Sequence, residues 1–260
     1  MLLIHNIIQA IEEFAPSAYQ ESYDNAGLCV GSPHAEARAA LLCLDVTEAV
    51  VHEAIDKGAN LIISHHPVIF SGLKQITGRT ATERIVQLAL KHDVALYAAH
   101  TNLDSVRGGV SEKMCDQLAL KNRRILRTTD IPNVGLGMLG ELEAPLSAND
   151  FLLFVKKIFG NPFIKYSNSG KANICSIAVC SGSGGSLLSS AIASGADAYV
   201  TADLKYHEFQ IASENLLAVD VGHYESEIAA VDIFYEVITK KFPIFAVHLS
   251  EAAVNPVRYL

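Results

Sequence analysis

The sequence holds no apolar run approaching the ~20 residues that a membrane-spanning helix needs, so no span is expected. It has no basic excess: 20 Lys and Arg stand against 28 Asp and Glu, for a formal net charge of −8. Strong nucleic-acid binding relies on a basic surface and is not expected, while a single nucleotide site stays compatible with this balance. Cysteine is scarce. Cys29, Cys43, Cys115, Cys175 and Cys180 are odd in number and far apart, without a CxxC pair. That excludes a cysteine zinc site or a disulfide framework, and reads as buried thiols in a reducing compartment. Met1 to Ala10 lacks a basic leader pattern, so a cytoplasmic location is the expectation. Low-complexity segments and long acidic runs are also missing. No Gly-Lys-Ser/Thr follows the one glycine-rich loop, and no Ser-His-Asp or nucleophilic-cysteine arrangement stands out. What remains is 260 residues, 50% hydrophobic, enough for one large or two smaller domains.

The most informative stretch is Leu61-Ile62-Ile63-Ser64-His65-His66-Pro67. It reads as a buried strand ended by two histidines and a proline. Ligands and metals bind at the carboxyl ends of strands in open α/β sheets. Neighbouring side chains on a strand point to opposite faces. Two adjacent histidines therefore serve one metal only where the strand has ended, and serve two nearby metals more easily. The ordinary alternative is a pair of half-exposed loop histidines.

An internal repeat surrounds this motif. Ala54 to His66 aligns without a gap on Ala191 to Asp203, each with the end of a helix, a glycine (Gly58, Gly195) and a buried strand. Glycine at that position takes the left-handed conformation that ends helices. Upstream, Ala40–Cys43 matches Ile177–Cys180. Downstream, the strand before His100, with Asp104 four residues on, matches the strand before His223, with Glu227 four residues on. Strand–helix–strand thus occurs twice, which predicts two βαβ units.

Helices are predicted over Leu3–Phe14, Glu48–Lys57 (capped by Thr47), Thr82–His92, Gly109–Leu118, Ala148–Phe159, Ser186–Ser194 and Ile228–Lys240. Strands are predicted over Leu41–Asp45, Leu61–Ser64, Ala95–Ala99, Asn173–Cys180 and Ile244–His248. Ile131 to Glu143 reads as a glycine-rich strand or loop. The change near Asn122–Asp130 marks the domain boundary, giving one domain over 1–126, with 241–260 a candidate to return to it, and a second over 127–240.

The polar residues at strand ends are His65, His66, His100, Asp104, Asp203, His223 and Glu227. Imidazole with carboxylate suits Zn, Fe, Mn, Co or Ni. Three histidines and two carboxylates drawn from this set already exceed one structural zinc and suffice for two ions about 3.5–4 Å apart. Glu227, near the start of a helix beside His223, fits a bridging carboxylate; the competing reading is a helix N-terminal acid facing the dipole. Asp104 alone also fits a cap or loop acid. Ser181-Gly182-Ser183-Gly184-Gly185 reads as a tight turn, the alternative being a phosphate cradle at the helix start. Tyr23 to Leu28 is an ordinary turn or a loop that hydrogen-bonds metal ligands. Lys205 and His207 are candidate catalytic residues, as general base or substrate anchor.

Six blocks in order carry a resemblance: Tyr23–Gly31 (YDNAGLCVG), Leu44–Thr47 (LDVT), Ile63–Phe70 (ISHHPVIF), Ala99–Asp104 (AHTNLD), Thr201–Glu208 (TADLKYHE) and Asp220–Glu227 (DVGHYESE). Over nearly its whole length the chain resembles the NIF-three-like family of GTP cyclohydrolase I type 2 homologues. The resemblance implies two similar, intertwined α/β domains from an internal duplication, with two divalent metal ions between them. It implies His65, His66, Asp104, His223 and Glu227 as ligands, with Glu227 bridging and His100 beside them. It also implies a homohexamer, a trimer of dimers, and the extra domain that longer members insert between the halves is missing here. The function expected is a dinuclear, metal-dependent hydrolase using a metal-bound hydroxide on a nucleotide or related heterocycle. The alternative is a metal-binding or metal-delivering protein without turnover.

Overall fold

The apolar runs become two sheets, one of five strands and one of six. The computed structural model describes residues 1–260. The chain divides into two units, Met1–Leu103 with Ala230–Pro256, and Asp104–Ala229 with Val257–Leu260.

The first unit opens with α1 (Ile4–Phe14), which buries Ile4, Ile7, Ile8 and Ile11 at helical spacing. Asn6 Oδ1 accepts from the Leu3 N–H at 2.9 Å and holds the helix start. There follow β1 (Gly27–Val30), β2 (Ala39–Cys43), α2 (Glu48–Asp56), β3 (Leu61–Ser64), α3 (Ala81–Lys91), β4 (Ala95–Ala98) and the short α4 (Thr101–Asp104), whose last residue begins the second unit. Thr47 caps α2, its side chain accepting from the Val50 N–H, and Thr80 caps α3 through the Glu83 N–H. Strands β2, β3 and β4 are parallel neighbours, and every one of their residues is buried. That explains why they read as unbroken apolar runs rather than alternating ones. Val50, Val51 and Ala54 of α2 and Ile85, Val86 and Ala89 of α3 pack with Leu41, Ile62 and Leu96. β1, not anticipated from the sequence, pairs antiparallel with β4.

The second unit contains α5 (Val110–Gln117), β5 (Lys121–Thr128), β6 (Gly135–Ser147), α6 (Ala148–Phe159), β7 (Lys165–Tyr166), β8 (Asn173–Ser183), α7 (Leu188–Ala193), β9 (Ala198–Ala202), α8 (Tyr206–Ser213), β10 (Leu217–Asp220) and α9 (His223–Glu227). Residues 122–130, where the sequence reading sets the domain division, hold most of β5. The sheet order is β5-β6-β8-β9-β10-β7, with β8, β9 and β10 parallel. The parallel trio β8, β9, β10 has the same succession as β2, β3, β4. Successive residues of β8 face opposite layers. Val179 packs with Phe151 and Val155 of α6, and Ala178 with Leu188 and Ala191 of α7. α6 matches its predicted span, capped by Ser147 and closed by Gly160 in the left-handed conformation, φ 66°. The predicted tight turn over Ser181–Gly185 needs correction: β8 continues to Ser183, and the helix expected from Ser186 begins as a single 3-10 turn before α7.

The chain then runs through α10 (Ala229–Lys241) to β11 (Ala246–Leu249), which joins β2 in parallel, with Ala246 opposite Ala39. Glu53 of α2 fastens the segment after β11. Its carboxylate accepts from the Ser250 hydroxyl and from the N–H groups of Glu251 and Ala252. Lys57 lies 2.8 Å from the same carboxylate. Burial pushes the Glu53 carboxyl up, but these donors outweigh it and hold the value at about 2. No helix is long and apolar enough to cross a membrane.

Because the folded value lies below the ordinary one of 4.5, Glu53 stabilises the fold at neutral pH. That contribution fades as the pH falls from about 4.5 toward about 2. Glu53→Gln is expected to lower the unfolding free energy by about 1–3 kcal/mol at pH 7. The deficit should shrink in urea titrations at pH 3.

Candidate metal centre

Sheet register assembles the first set of donors. Cys43 of β2 lies opposite Ser64 of β3, and Ser64 opposite Ala98 of β4. Two residues beyond each of these pairings stand Asp45, His66 and His100, level with one another past the carboxyl edge. The strand does end at Ser64, whose hydroxyl donates to the His66 carbonyl at 2.8 Å and shapes the turn. The His65 and His66 rings consequently lie near each other, with centroids 5.1 Å apart, and each is 5.3–5.4 Å from the ring of His100. One nitrogen from each of the three rings lies within 4.8 Å of the other two.

Each ring is oriented through Nδ1. His65, fully buried, donates Nδ1–H to the Ala99 carbonyl at 2.9 Å. His66 Nδ1 faces Asp45 Oδ1 at 2.8 Å, and His100 Nδ1 faces Asp24 Oδ1 at 2.7 Å. A carbonyl or carboxylate oxygen can only accept, so in the neutral rings the proton sits on Nδ1 and Nε2 carries the lone pair. Asp24 also accepts from the Thr101 N–H and hydroxyl. Burial pushes its carboxyl up, yet the hydrogen bonds from His100 and Thr101, with the charge attraction of His100, prevail and hold it at about 2.

In the second unit, Asp203 follows β9 with φ 56°, and His223 opens α9 after Gly222, φ 95°. His223 Nδ1 lies 2.6 Å from Asp203 Oδ2, and its Nε2 lies 2.8 Å from Glu227 Oε2, one helical turn on. Glu227 is buried, 3% exposed. Its hydrogen bond to His223, with the added pull of Asp203, outweighs burial and raises the imidazole to about 9. β8 supports both acids of this unit from adjacent positions. The Ser181 hydroxyl donates to Asp104 Oδ1 at 2.9 Å, and Ser181 itself contacts Ser111 at 3.0 Å. Gly182 gives Glu227 room: a Cβ there would lie 1.9 Å from Glu227 Oε1. The Gly182 N–H donates to Ser226 Oγ, tying α9 to β8.

These groups fit divalent metal ions. The donor types are neutral imidazole nitrogen and carboxylate oxygen, and each of the four rings is backed by an oxygen acceptor, the arrangement that orients metal-ligating histidines. The closely packed imidazoles of His65, His66 and His100 would repel one another if all were protonated, whereas a cation draws their lone pairs together.

Lys205 and His207 stand elsewhere in character. Both are exposed at the start of α8, Lys205 at the N-cap position and His207 beside Gln210 and the Tyr206 ring. Asp45, Ser181 and Gly182 are supporting residues that the sequence reading did not assign. In the Tyr23–Leu28 loop, for which the sequence offers an ordinary turn or a partner of metal ligands, Asp24 holds His100. A cleft of about 500 Å³ opens beside His66, lined also by Asp45, Thr47, Pro67, Val68 and Ile85.

The family model described as Duf34/NIF3 (NGG1p interacting factor 3) matches residues 2–256. The chain belongs to this family. Among Duf34/NIF3 relatives, a "GTP cyclohydrolase 1 type 2 homolog" of Streptococcus pneumoniae is 34% identical over 86% of this chain and 85% of its own length. One of the same name from Clostridium acetobutylicum is 33% identical over 88% and 87%. A hypothetical protein of Staphylococcus aureus superposes with a TM-score of 0.91 at 26% identity, covering 100% of this chain and 99% of its own. Reduced HcgD of Methanocaldococcus jannaschii gives 0.82 at 28% identity, covering 96% and 98%. The mixed α/β fold with two sheets is therefore that of the NIF3 structures.

The His223–Glu227 pair yields a pH signature in metal-stripped protein. With a folded value of about 9 against an ordinary 6.5, protonated His223 stabilises the fold below about pH 6.5, and this is lost as the pH rises through about 9. Glu227→Gln should bring the His223 value down toward 6.5, read by NMR titration of the imidazole carbons. An unchanged value would show that Glu227 does not hold the proton there.

Proposed function

We propose that this protein is a dinuclear, metal-dependent hydrolase of the GTP cyclohydrolase 1 type 2 kind, acting on a nucleotide or related heterocycle. His65, His66, Asp104, His223 and Glu227 would hold the two divalent ions, with Glu227 shared between them. The observation that carries this reading is the anchoring of Nδ1 on an oxygen acceptor at His65, His66, His100 and His223. The names of the relatives support the substrate class. The equal succession of the two parallel strand trios supports the duplication inferred from the sequence.

Such an ion pair lowers the pKa of water and stabilises negative charge that develops on the substrate. The chain's own groups would set the stage for that chemistry. Asp45, Asp24 and the Ala99 carbonyl keep their imidazoles in the tautomer that donates from Nε2. Ser181 and Gly182 fix the positions of Asp104 and Glu227. Asp203, on the outer side of His223, raises that ring's basicity. The cleft beside His66 offers room for part of a substrate. We further propose a cytoplasmic homohexamer as the working form, its mass to be read by light scattering.

Elemental analysis of protein reconstituted with Zn, Mn or Fe(II) is expected to give about two ions per chain, consistent with a two-metal site. Formate release from GTP, or turnover on a panel of purine nucleotides, should vanish in Glu227→Ala. Asp45→Ala, which removes the orienting partner of His66, should weaken metal affinity by about 10–100-fold. Full metal loading with no turnover on any nucleotide would point to metal delivery instead. A stoichiometry near zero would remove the hydrolase reading altogether.

A further inference from the structure

Two large aromatic side chains stand exposed beside the histidine set of the first unit. Tyr23 is 63% and Phe70 50% exposed. Isolated exposed hydrophobics are common and need no explanation, but these two are neighbours, with ring centroids 6.4 Å apart and planes tilted by 49°. Phe70 in turn meets the His100 ring at 6.3 Å and 78°, an edge-to-face contact. The row Tyr23, Phe70, His100 thus runs from solvent to the imidazoles of His65 and His66.

The two loops are braced. Asp24, next to Tyr23, is held by His100 and Thr101. Asn25 Nδ2 donates to the carbonyl of Ile69, next to Phe70, at 2.6 Å, so each aromatic sits beside a fastened residue. Holding two aromatic rings half or more exposed on restrained loops leaves a broad ring surface against water. A planar ligand laid against them would remove that surface from water and add face-to-face contact.

We infer that Tyr23 and Phe70 form a stacking platform for a planar heteroaromatic ring, placing the substrate's ring system next to the His65–His66–His100 cluster. This deepens the hydrolase reading and rests on it for the site of reaction. The platform specifies a flat, unsaturated ring such as a purine or pterin, and gives no advantage to a sugar phosphate.

The sequence contains no tryptophan, so Phe70→Trp installs a single fluorescent reporter on the platform. In the metal-reconstituted full chain, guanosine is expected to quench its emission saturably, while ribose 5-phosphate at equal concentration leaves it unchanged. Phe70→Ala should weaken guanosine binding by calorimetry at least about 5-fold, the low end of base–aromatic stacking, with metal content and oligomer mass as in the parent. Phe70→Tyr should retain binding. Equal responses to guanosine and ribose 5-phosphate, or guanosine binding unaffected by Phe70→Ala, would overturn the platform even if nucleotide hydrolysis persists. A change in oligomer mass in Phe70→Ala would also overturn it, by assigning the rings to an interface between copies. Guanosine stacking without any turnover would leave the platform standing and sink only the hydrolase reading.

Discussion

The hydrogen bond from imidazole Nδ1 to an oxygen acceptor is the constraint on which the site depends. It occurs at His65, His66, His100 and His223, with a carbonyl at the first and carboxylates at the others. Its effect is chemical as well as geometric. A neutral imidazole has one proton, and fixing it on Nδ1 leaves the lone pair on Nε2. His65, His66 and His100 are thereby each committed to one face and one donor atom before any ion arrives, which reduces the reorganisation needed to bind one.

The fold supplies the acceptors through register rather than through local sequence. Parallel pairing sets the carboxyl ends of β2, β3 and β4 side by side, and two residues past the paired ends stand Asp45, His66 and His100. In the second unit, Asp203 after β9 and His223 after β10 are neighbours for the same reason. Strands buried on both faces keep this alignment rigid, because a register slip would misplace every apolar side chain in the layer. The glycine at position 182 adds a different requirement. Its left-handed backbone and missing Cβ let β8 pass directly beside the Glu227 carboxylate.

Much of this was legible in the sequence where local signals and burial agreed. Leu61–Ser64 and Ala148–Phe159 match their predicted bounds because an apolar run and a capped amphipathic period each have one local solution. The His-His-Pro ending announced the donors. β5 was hidden because its sequence, Lys121 to Thr128, is basic and largely exposed at a sheet edge, and shows neither alternation nor an apolar run. β6 looked like strand or loop because of its glycines. Gly135 and Gly140 are there since a side chain would strike Arg127 and Leu120 across the sheet. Ser181–Gly185 read as a turn for the same compositional reason. Asp45 was not assigned because its partnership with His66 follows from strand order, which no local pattern encodes.

The central claim is that His65, His66 and His100 are held as Nδ1–H tautomers with basic Nε2 atoms. Long-range ¹H–¹⁵N correlation spectra of the metal-stripped protein, with ¹⁵N-labelled histidine, read this directly at neutral pH. The account predicts a protonated Nδ1 and a pyridine-like Nε2 for these three rings, with the His65 and His66 Nε2 signals shifting on addition of a divalent ion. Protons found on Nε2, or Nε2 signals indifferent to the ion, would contradict it.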